Sequence, residues 1–527
     1  MAKRRRSTGD RPASRPAPVP APAAAPAPSP SRQIAGLVAA AVAVLLFYLA
    51  ARSTAPKPWS YDEYYHIGLA RLMRTNFRIT SFRWTPFSIF FDHFADKEPL
   101  FHVLLMPFAR LPLERAGLIG VALGQVFLLA SLAFVLWKLA VPRAPWFVFA
   151  FAGLGTMFAL RADMCRPHIW LIGFSLLMIG LLAAEVSWKV LAPVCALFGL
   201  VHTGGWIAIA FAALWGVAGF LSRIPAERRL VWQPAAAAAG GWLAGQLVHP
   251  NVPENFRLFW IQNFIVPFQS TAAGNAALRS QIGVELTPPD GSMLLDQWPA
   301  FIAPVLVAAL LLFNPRLRTR ATLTASAAAV AFLIAGSFFL RRFFELGAPL
   351  AVLALALVLC ERRAQGAPPL FKKAGPFLAG LAIVLGSYWT WWSIQKQGFG
   401  VSSPPQEMAQ WLGEHGKEGE RVFTTQWGDS APLFYYAPQL QSLVVLDPTF
   451  FYVKNPSLFA TYVKIVDGHH ASPARAIRDQ FGARWVTIPN QPAYLKLGEQ
   501  LLTTPGARYV FNTTDYTVFD LADARPR

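Results

Sequence analysis

The sequence predicts a polytopic α-helical membrane protein followed by a small soluble α/β domain. The first observation is composition: of 527 residues, 54% are hydrophobic and 14% are charged, against roughly 25% charged in ordinary globular domains. Such a chain cannot cover its surface with polar side chains. The second observation is that long apolar runs recur only as far as residue 397. The chain therefore divides into a membrane domain and a soluble C-terminal domain.

The N-terminal tail, residues 1–31, carries the basic run "KRRR" and then alternates proline with alanine. A segment of this composition buries no core and stays extended and solvated. The apolar run at 33–51 follows it and lacks the small-residue cleavage context of a signal peptide. We therefore expect a cytoplasmic tail and a retained membrane anchor.

The membrane domain is predicted to occupy residues 32–397. About twenty predominantly apolar residues are needed to cross a bilayer as a helix. That measure predicts about eleven transmembrane helices, at 33–51, 116–137, 145–161, 167–184, 190–203, 204–221, 232–248, 299–313, 321–340, 345–360 and 374–393.

The basic residues predict the orientation of these spans. A net charge of +19 can indicate nucleic-acid binding, but here Lys and Arg form short clusters between apolar runs rather than one stripe. Such clusters follow every second predicted span, which is the pattern of cytoplasmic loops. We therefore exclude a nucleic-acid partner. The loops 52–115 and 249–298 and the C-terminal domain are predicted to lie outside the inner (plasma) membrane, on its periplasmic or extracytoplasmic side.

Residues 398–527 have the pattern of an α/β domain. Two amphipathic helical patterns alternate there with short β-rich runs, namely "RVFTTQ", "SLVVLD", "RWVTIP", "RYVFN" and "YTVFDL". About 130 residues suffice for one small domain. Because strands alternate with helices, we expect a mostly parallel sheet.

Charged motifs gather at the predicted outer face. The first loop contains "SYDEYYHIGLARLM" at 60–73 and "FDHFADKEPLFHVLL" at 91–105, and two later motifs are "LRADMCRPHIWLIG" at 160–173 and "RRFFELGAPL" at 341–350. The order of these motifs along the chain and their predicted position on the outer side of the membrane resemble those of the C-type (GT-C) glycosyltransferase superfamily. The resemblance is strongest to bacterial protein O-mannosyltransferases and lipid A aminoarabinose transferases. In those proteins a "DE" pair precedes a Lys-Pro-Pro-Leu-like motif, and here Glu98 replaces the first proline. The stretch "DEYYHIGLARLM" is also similar to oligosaccharyltransferase catalytic subunits.

This resemblance implies a hexosyl- or pentosyltransferase. Its donor would be a polyprenyl-phosphate-linked sugar, and its acceptor a glycan, lipid or protein. The reaction needs a base for the acceptor's proton and positive charge for the departing phosphate. Asp62 is the predicted base of a direct, inverting displacement. The resemblance and this chemistry give a catalytic set of Asp62, Glu63 and Asp163, and a phosphate-binding set of Arg341, Arg342, Lys97, Arg166 and His93.

Further candidates have structural alternatives. Contacts to the acceptor or substrate are assigned to His202, His249, Trp427 and Asp429. The acidic residues of the first motif could instead cap a helix, Asp163 could pair with Arg161 or Arg166, and Arg341 and Arg342 could anchor the membrane interface. A divalent cation such as Mg²⁺ or Mn²⁺ could lie between Asp62 and Asp163.

Two other functional classes remain open. One is a transporter or flippase of lipid-linked sugars, although the sequence contains none of the internal repeats typical of transporters. The other is a non-catalytic envelope assembly protein, which would tolerate Asp62→Asn.

Overall fold

A computed structural model describes residues 30–54, 60–271, 276–281, 283–366, 374–397, 405–445 and 447–523. The predicted tail lies outside the described residues except for positions 30 and 31, which begin the first helix.

The described part of the membrane domain is helical. Its first ten helices are α1 (Pro30–Thr54), α2 (Tyr61–Met73), α3 (Pro99–Leu105), α4 (Leu113–Lys138), α5 (Ala144–Phe149), α6 (Thr156–Ala162), α7 (His168–Ala183), α8 (Trp188–Val201), α9 (Ile207–Leu221) and α10 (Gln233–Leu247). Eight more follow: α11 (Glu254–Trp260), α12 (Val266–Thr271), α13 (Ala276–Gln281), α14 (Gly291–Asp296), α15 (Trp298–Phe313), α16 (Arg320–Phe338), α17 (Phe344–Ala364) and α18 (Ala374–Gln397).

Every predicted span coincides with helical structure. Within the described residues, six helices are long and apolar enough to cross a membrane. They are Pro30–Thr54, Leu113–Lys138, Thr203–Leu221, Arg320–Phe338, Arg341–Ala364 and Ala374–Lys396. Shorter apolar helices include α7, α8 and α15. The prediction of a polytopic helical membrane protein is therefore confirmed.

The third predicted span, 145–161, is not a straight helix. The segments Ala144–Gly153 and Thr156–Ala162 meet at 95°. Gly155 adopts φ +101° at the break, a conformation that glycine tolerates and L side chains rarely adopt. The Gln297 side chain then accepts a hydrogen bond from the Met157 backbone N–H at 3.1 Å, at the start of α6. The backbone conformation of Gly155 thus divides one apolar run into two helical elements.

The described part of the C-terminal domain contains a five-stranded sheet and six α-helices. The strands are β1 (Arg421–Thr424), β2 (Gln441–Ser442), β3 (Trp485–Pro489), β4 (Arg508–Asn512) and β5 (Tyr516–Asp520). The helices are α19 (Gln406–His415), α20 (Ser430–Tyr436), α21 (Thr449–Lys454), α22 (Pro456–Val466), α23 (Pro473–Phe481) and α24 (Leu495–Leu502). The predicted α/β class is confirmed.

The sheet is mixed rather than mostly parallel. Its order is β2-β1-β3-β5-β4. The β1–β2 and β1–β3 pairs are parallel, whereas β3–β5 and β4–β5 are antiparallel. The reason is the short connection between β4 and β5, which can only form a hairpin, because a parallel connection needs a crossover of a dozen or more residues. The run "SLVVLD" also contributes less strand than predicted, since the Ser442 N–H bonds to the Trp84 carbonyl (2.8 Å).

The first long loop and the C-terminal domain pack against each other. A Cβ placed on Gly68 of α2 would lie 2.9 Å from the Phe434 ring of α20. Arg71 donates a hydrogen bond to the Tyr435 hydroxyl (2.6 Å), and Trp84 donates one to the Pro438 carbonyl (2.6 Å). The C-terminal domain therefore rests directly on the helix that begins with the acidic pair.

Candidate active site

A cavity of about 870 Å³ lies where the first long loop, the ends of several membrane-domain helices and the C-terminal domain meet. This volume is within the usual range of ligand pockets, roughly 300–1,000 Å³.

Asp62 borders this cavity. It occupies the first turn of α2, where free backbone N–H groups and the helix dipole favour a carboxylate. Its side chain is largely buried and forms an ion pair with Arg166. A carboxylate that is held in place and still faces a cavity is suited to accept a proton from a bound molecule.

Glu63 has a different environment. It is fully buried and is not among the described residues that line the cavity. Its carboxylate accepts hydrogen bonds from Arg52 Nη2 (3.0 Å) and from the Cys165 backbone N–H (3.2 Å). The side chain thus ties α2 to α1 and to the segment after α6.

Asp163 lies beside Glu63 rather than beside Asp62. Its backbone oxygen accepts a hydrogen bond from Arg52, and its Oδ1 accepts one from Gln125 Nε2 (3.4 Å). The side chain is fully buried and is not among the described cavity-lining residues. The structure therefore does not bring Asp62 and Asp163 to a shared cation site.

Glu285 is the centre of a cluster of ion pairs. It pairs with Arg161, with Arg166 Nη1 (3.5 Å) and with Arg342 Nη1 (4.0 Å). Although burial opposes ionisation, Arg161, Arg166 and Arg342 hold the pKa of Glu285 well below its usual range. Glu345 adds a second carboxylate, 3.2 Å from Arg161 Nε and 3.7 Å from Arg342 Nε. The cluster fixes three guanidinium groups at the cavity.

Arg341 and Arg342 both line the cavity but have different partners. Arg341 donates through Nη2 to the Pro288 carbonyl (2.9 Å). Arg342 contacts the His168 ring as well as the two glutamates of the cluster. Arg341 therefore makes no ion pair within the described part of the chain, whereas the charge of Arg342 is shared between two glutamates.

Lys97 and Glu98 of the "DKEPL" motif also line the cavity. Lys97 Nζ lies 4.6 Å from the centre of the Phe450 ring and makes no ion pair with a described residue. Glu98 is buried, and burial raises its pKa to about 7.

His66, Glu98 and His102 form a compact group whose ligand atoms lie within 4.8 Å of one another. His66 Nδ1 is 2.8 Å from His102 Nε2, and His102 Nδ1 is 2.8 Å from Asp96 Oδ2. A carboxylate on the far ring nitrogen is the usual way to orient a metal-binding histidine. Burial, and then His102, lowers the pKa of His66 well below its usual range, which favours the neutral form that binds metals.

The other predicted histidines have different locations. His202 lines the cavity, and its Nδ1 accepts a hydrogen bond from the Gly204 N–H (2.8 Å). His249 is buried beside the first loop, with Nε2 3.0 Å from the Asp96 carbonyl. His93 pairs with Glu254 (3.1 Å) and is largely exposed. His93 and His249 are not among the described residues that line the large cavity.

In the C-terminal domain, Trp427 lines the cavity and Asp429 lies behind it. Asp429 is fully buried and accepts a hydrogen bond from the Tyr516 hydroxyl (2.6 Å). Burial raises the pKa of Asp429 to about 8.

Several cavity residues were not among the sequence-predicted site residues: His66, His168, Arg161, Glu98 and Glu285. His66 carried a usable signal, because it lies four residues after Asp62 and hence on the same face of α2. Glu285 carried none, since it stands in a one-turn 3-10 helix, Val284–Leu286, within the predicted loop 249–298, and its arginine partners are distant in sequence.

Comparison with solved structures finds membrane glycosyltransferases along nearly the whole chain. The oligosaccharyltransferase AglB from Archaeoglobus fulgidus, in complex with an inhibitory peptide and a dolichol-phosphate, has a TM-score of 0.58 at 12% identity, over 91% of this chain and 74% of that chain. ArnT from Cupriavidus metallidurans, bound to undecaprenyl phosphate, has a TM-score of 0.52 at 16% identity, over 95% of this chain and 100% of that chain. This chain has the GT-C fold.

The GT-C fold confirms the resemblance drawn from the four motifs. A third structure, the mycobacterial arabinofuranosyltransferase AftD, has a TM-score of 0.51 at 14% identity, over 92% of this chain but only 40% of that chain. A further structure of the Archaeoglobus fulgidus enzyme is a complex with Zn and sulfate. No family model and no curated protein matches the sequence, so the likeness is one of fold.

Proposed function

We propose that this chain is a glycosyltransferase that moves a sugar from a polyprenyl-phosphate-linked donor to an acceptor hydroxyl at the extracytoplasmic face of the membrane. The observation that carries the proposal is that the Asp62 carboxylate and a group of cations border one cavity. The lipid phosphates in the ArnT and AglB structures support the same class of donor.

The cations differ in their availability to a phosphate. Arg166 and Arg342 share their charges with Asp62, Glu285 or Glu345. Lys97 lies on an aromatic ring and Arg341 binds carbonyl oxygens. Because neither Lys97 nor Arg341 is neutralised by a carboxylate among the described residues, these two are the proposed primary phosphate ligands, with Arg342 beside them.

The proposed reaction is a single displacement. The acceptor hydroxyl oxygen forms a bond to the anomeric carbon while the bond from that carbon to the phosphate oxygen breaks. Polyprenyl phosphate leaves with the electron pair, and the acceptor's proton passes to the Asp62 carboxylate. Cations near the phosphate stabilise the charge that it gains. A single displacement inverts the configuration at the anomeric carbon.

Arg166 has a positioning role in this proposal. It bridges Asp62 and Glu285, so the base stays oriented toward the cavity.

We further propose that His66, Glu98 and His102 hold a divalent cation. Two imidazoles and one carboxylate are a donor set that suits zinc, whereas Mg²⁺ and Mn²⁺ prefer oxygen ligands. The Asp96–His102 contact orients the Nε2 ligand atom. When bound, such an ion would supply positive charge beside the cavity.

The metal proposal is tested by metal analysis of the purified full chain. We expect about one zinc per chain, lost in His102→Ala and retained in His93→Ala. Wild-type protein without a divalent metal after purification and zinc dialysis contradicts this proposal and leaves the glycosyltransferase proposal standing.

The function is tested in a strain that lacks the gene. We expect lipid-linked sugar donor to accumulate and one sugar to disappear from a surface glycoconjugate, with both effects reversed by the wild-type gene and not by Asp62→Asn. A transporter would instead cause donor to accumulate on the cytoplasmic leaflet. Complementation by Asp62→Asn would indicate an assembly protein. Either result overturns the proposal.

A further inference from the structure

The large cavity has two walls that differ in their charged side chains. The membrane-domain wall contains both cations and carboxylates, namely Lys97, Arg161, Arg166, Arg341 and Arg342 with Asp62, Glu98, Glu285 and Asp296. The other wall belongs to the C-terminal domain and includes Trp427, Asp447, Asp467, Gln491 and Tyr494, which we name the acceptor wall. Among the described residues, the C-terminal domain contributes no lysine, arginine or histidine to the cavity. Among the described residues, the cations that could bind a phosphate therefore lie on the membrane-domain wall alone.

The acceptor wall lies at one edge of the sheet. Strands β2, β1 and β3 run parallel, so their carboxyl ends meet at the same edge. Trp427 follows β1, Asp447 follows β2, and Gln491 and Tyr494 follow β3. Loops beyond the carboxyl ends of parallel strands are the usual ligand-binding position in α/β sheets. The fold thus gathers these side chains without any local sequence motif.

Several side chains of this wall have surface that a ligand can contact. Asp467 is exposed and makes no ion pair or side-chain hydrogen bond with a described residue. Asp447 uses Oδ1 to accept hydrogen bonds from the Thr449 backbone N–H (2.9 Å) and hydroxyl (2.6 Å). Trp427 and Tyr494 are partly exposed, so each retains aromatic surface for a partner.

The loop that contains Trp427 contacts Tyr61, the residue before the proposed base Asp62. A Cβ placed on Gly428 would lie 3.1 Å from the ring of Tyr61. Gln426 Nε2 donates a hydrogen bond to the Tyr61 hydroxyl (3.0 Å). Because Tyr61 immediately precedes Asp62, a molecule bound against Trp427 would have its reactive end close to the carboxylate.

We propose that the acceptor wall binds the acceptor, and that this acceptor is a neutral carbohydrate chain. This inference rests on the proposed function and names its second substrate. Sugar hydroxyls donate hydrogen bonds to carboxylates and amides, and the apolar face of a sugar ring packs on aromatic rings. A phosphorylated lipid would instead meet Asp447 and Asp467 with like charge.

A peptide acceptor fits this wall less well. Extended peptides are commonly bound by pairing with an exposed strand edge. The described strand residues of the sheet do not line the cavity. The acceptor wall instead presents separate side chains from several loops. Such side chains can each contact one sugar ring of a glycan.

The first experiment measures binding, independently of catalysis. The full chain in nanodiscs is titrated with neutral mannan, arabinan and glucan oligosaccharides, with a phosphorylated lipid A and with a Ser/Thr-rich peptide. We expect one neutral oligosaccharide to bind, and Asp467→Asn and Tyr494→Ala each to weaken it by about tenfold, the value of one or two lost hydrogen bonds or ring contacts. Asp479→Asn, an exposed residue on α23 outside the cavity, is the matched control and should bind as wild type.

The second experiment measures transfer with a polyprenyl-phosphate-linked donor and the same acceptors. We expect the two variants to raise the acceptor KM and to leave the donor KM unchanged. Transfer to the peptide or lipid A, with an unchanged acceptor KM in both variants, overturns the acceptor assignment. The proposed glycosyltransferase function would still stand. Absence of binding by every neutral oligosaccharide also overturns it. Binding that is sensitive to the two variants, without transfer from any donor, supports the wall and contradicts the proposed function.

Discussion

Two consecutive carboxylates at the start of α2 have separate tasks. Asp62 borders the cavity and pairs with Arg166, whereas Glu63 is buried against Arg52 and the Cys165 backbone. Consecutive helix residues project about 100° apart, since a helix has 3.6 residues per turn. One side chain can therefore serve a ligand while its neighbour holds the helix in place.

The buried ion pair of Arg52 and Glu63 should contribute to the stability of the folded chain. Glu63→Gln leaves the Arg52 charge buried without its counter-charge, and breaking such a pair costs about 3–5 kcal/mol. We expect thermal unfolding of the purified chain to show a clearly lowered Tm. Asp62→Asn should lower Tm less, because Arg166 keeps Glu285 at 3.5 Å. An unchanged Tm together with lost sugar transfer in Glu63→Gln would instead make Glu63 a catalytic residue.

Residues in sequence motifs were easier to predict than their partners. Asp62, Lys97, Arg166 and the pair at 341–342 stand in charged motifs at predicted span ends, and the structure gathers them around one cavity. Glu285 could not be found in this way, because its three arginine partners belong to two motifs, 160–173 and 341–350, that are distant from it in sequence and that only the fold brings to it.

At the scale of elements, the break before α6 decides where Arg161 lies. If the helix continued straight through Gly155, residues 156–162 would point in another direction. Arg161 would then lie too far from Glu285 to form their ion pair. Hydropathy predicts the apolar run but not the bend, because the bend depends on the backbone conformation at a single glycine and on the side chain of Gln297, which is distant in sequence and stands between α14 and α15.

Gly155→Ala tests this element. A side chain at φ +101° is strained, at a cost of about 1–3 kcal/mol, and its Cβ would lie 3.0 Å from Gln297 Oε1. We expect a lower Tm and a raised donor KM. Gly240→Ala in α10 is the control, since a Cβ there meets nothing within 4 Å. Equal Tm and donor KM in the two variants would contradict the role of the bend.

Strand prediction in the C-terminal domain located β1, β3, β4 and β5, although β4 is largely exposed. It failed for strand direction, because alternation with helices indicates parallel pairing only when the connections are long enough. The connection between β4 and β5 is too short for parallel pairing, so these two strands form an antiparallel hairpin.

For the whole molecule, the packing of the C-terminal domain on α2 connects its folding to the cavity. Asp429 is central to this contact, since it accepts a hydrogen bond from Tyr516 and its neighbour Gly428 lies against Tyr61. The sequence predicts the two domains but not their contact, which depends on aromatic side chains from distant segments.

The buried Asp429 predicts a pH dependence. Its pKa is about 8 in the folded chain and about 3.9 in an unfolded one. Between these values the folded state binds more protons than the unfolded state, so stability falls as pH rises. We expect Tm to fall by several degrees between pH 5 and 8, given roughly 2–8 °C per kcal/mol, and Asp429→Asn to flatten that slope.

The control for the pH prediction is Asp479→Asn, whose carboxylate is exposed on α23. It should keep the wild-type slope. A slope that persists in Asp429→Asn would show that other groups produce it.

Asp62 is the proposed acceptor of the proton that the acceptor hydroxyl loses. The most direct measurement is the rate of sugar transfer by purified Asp62→Asn protein, reconstituted with a donor and an acceptor that the wild-type protein uses. We expect a loss on the order of 10²–10⁴-fold, with donor binding retained and with Asp479→Asn at the wild-type rate. A transfer rate for Asp62→Asn close to that of the wild type would contradict the role of Asp62 as the base.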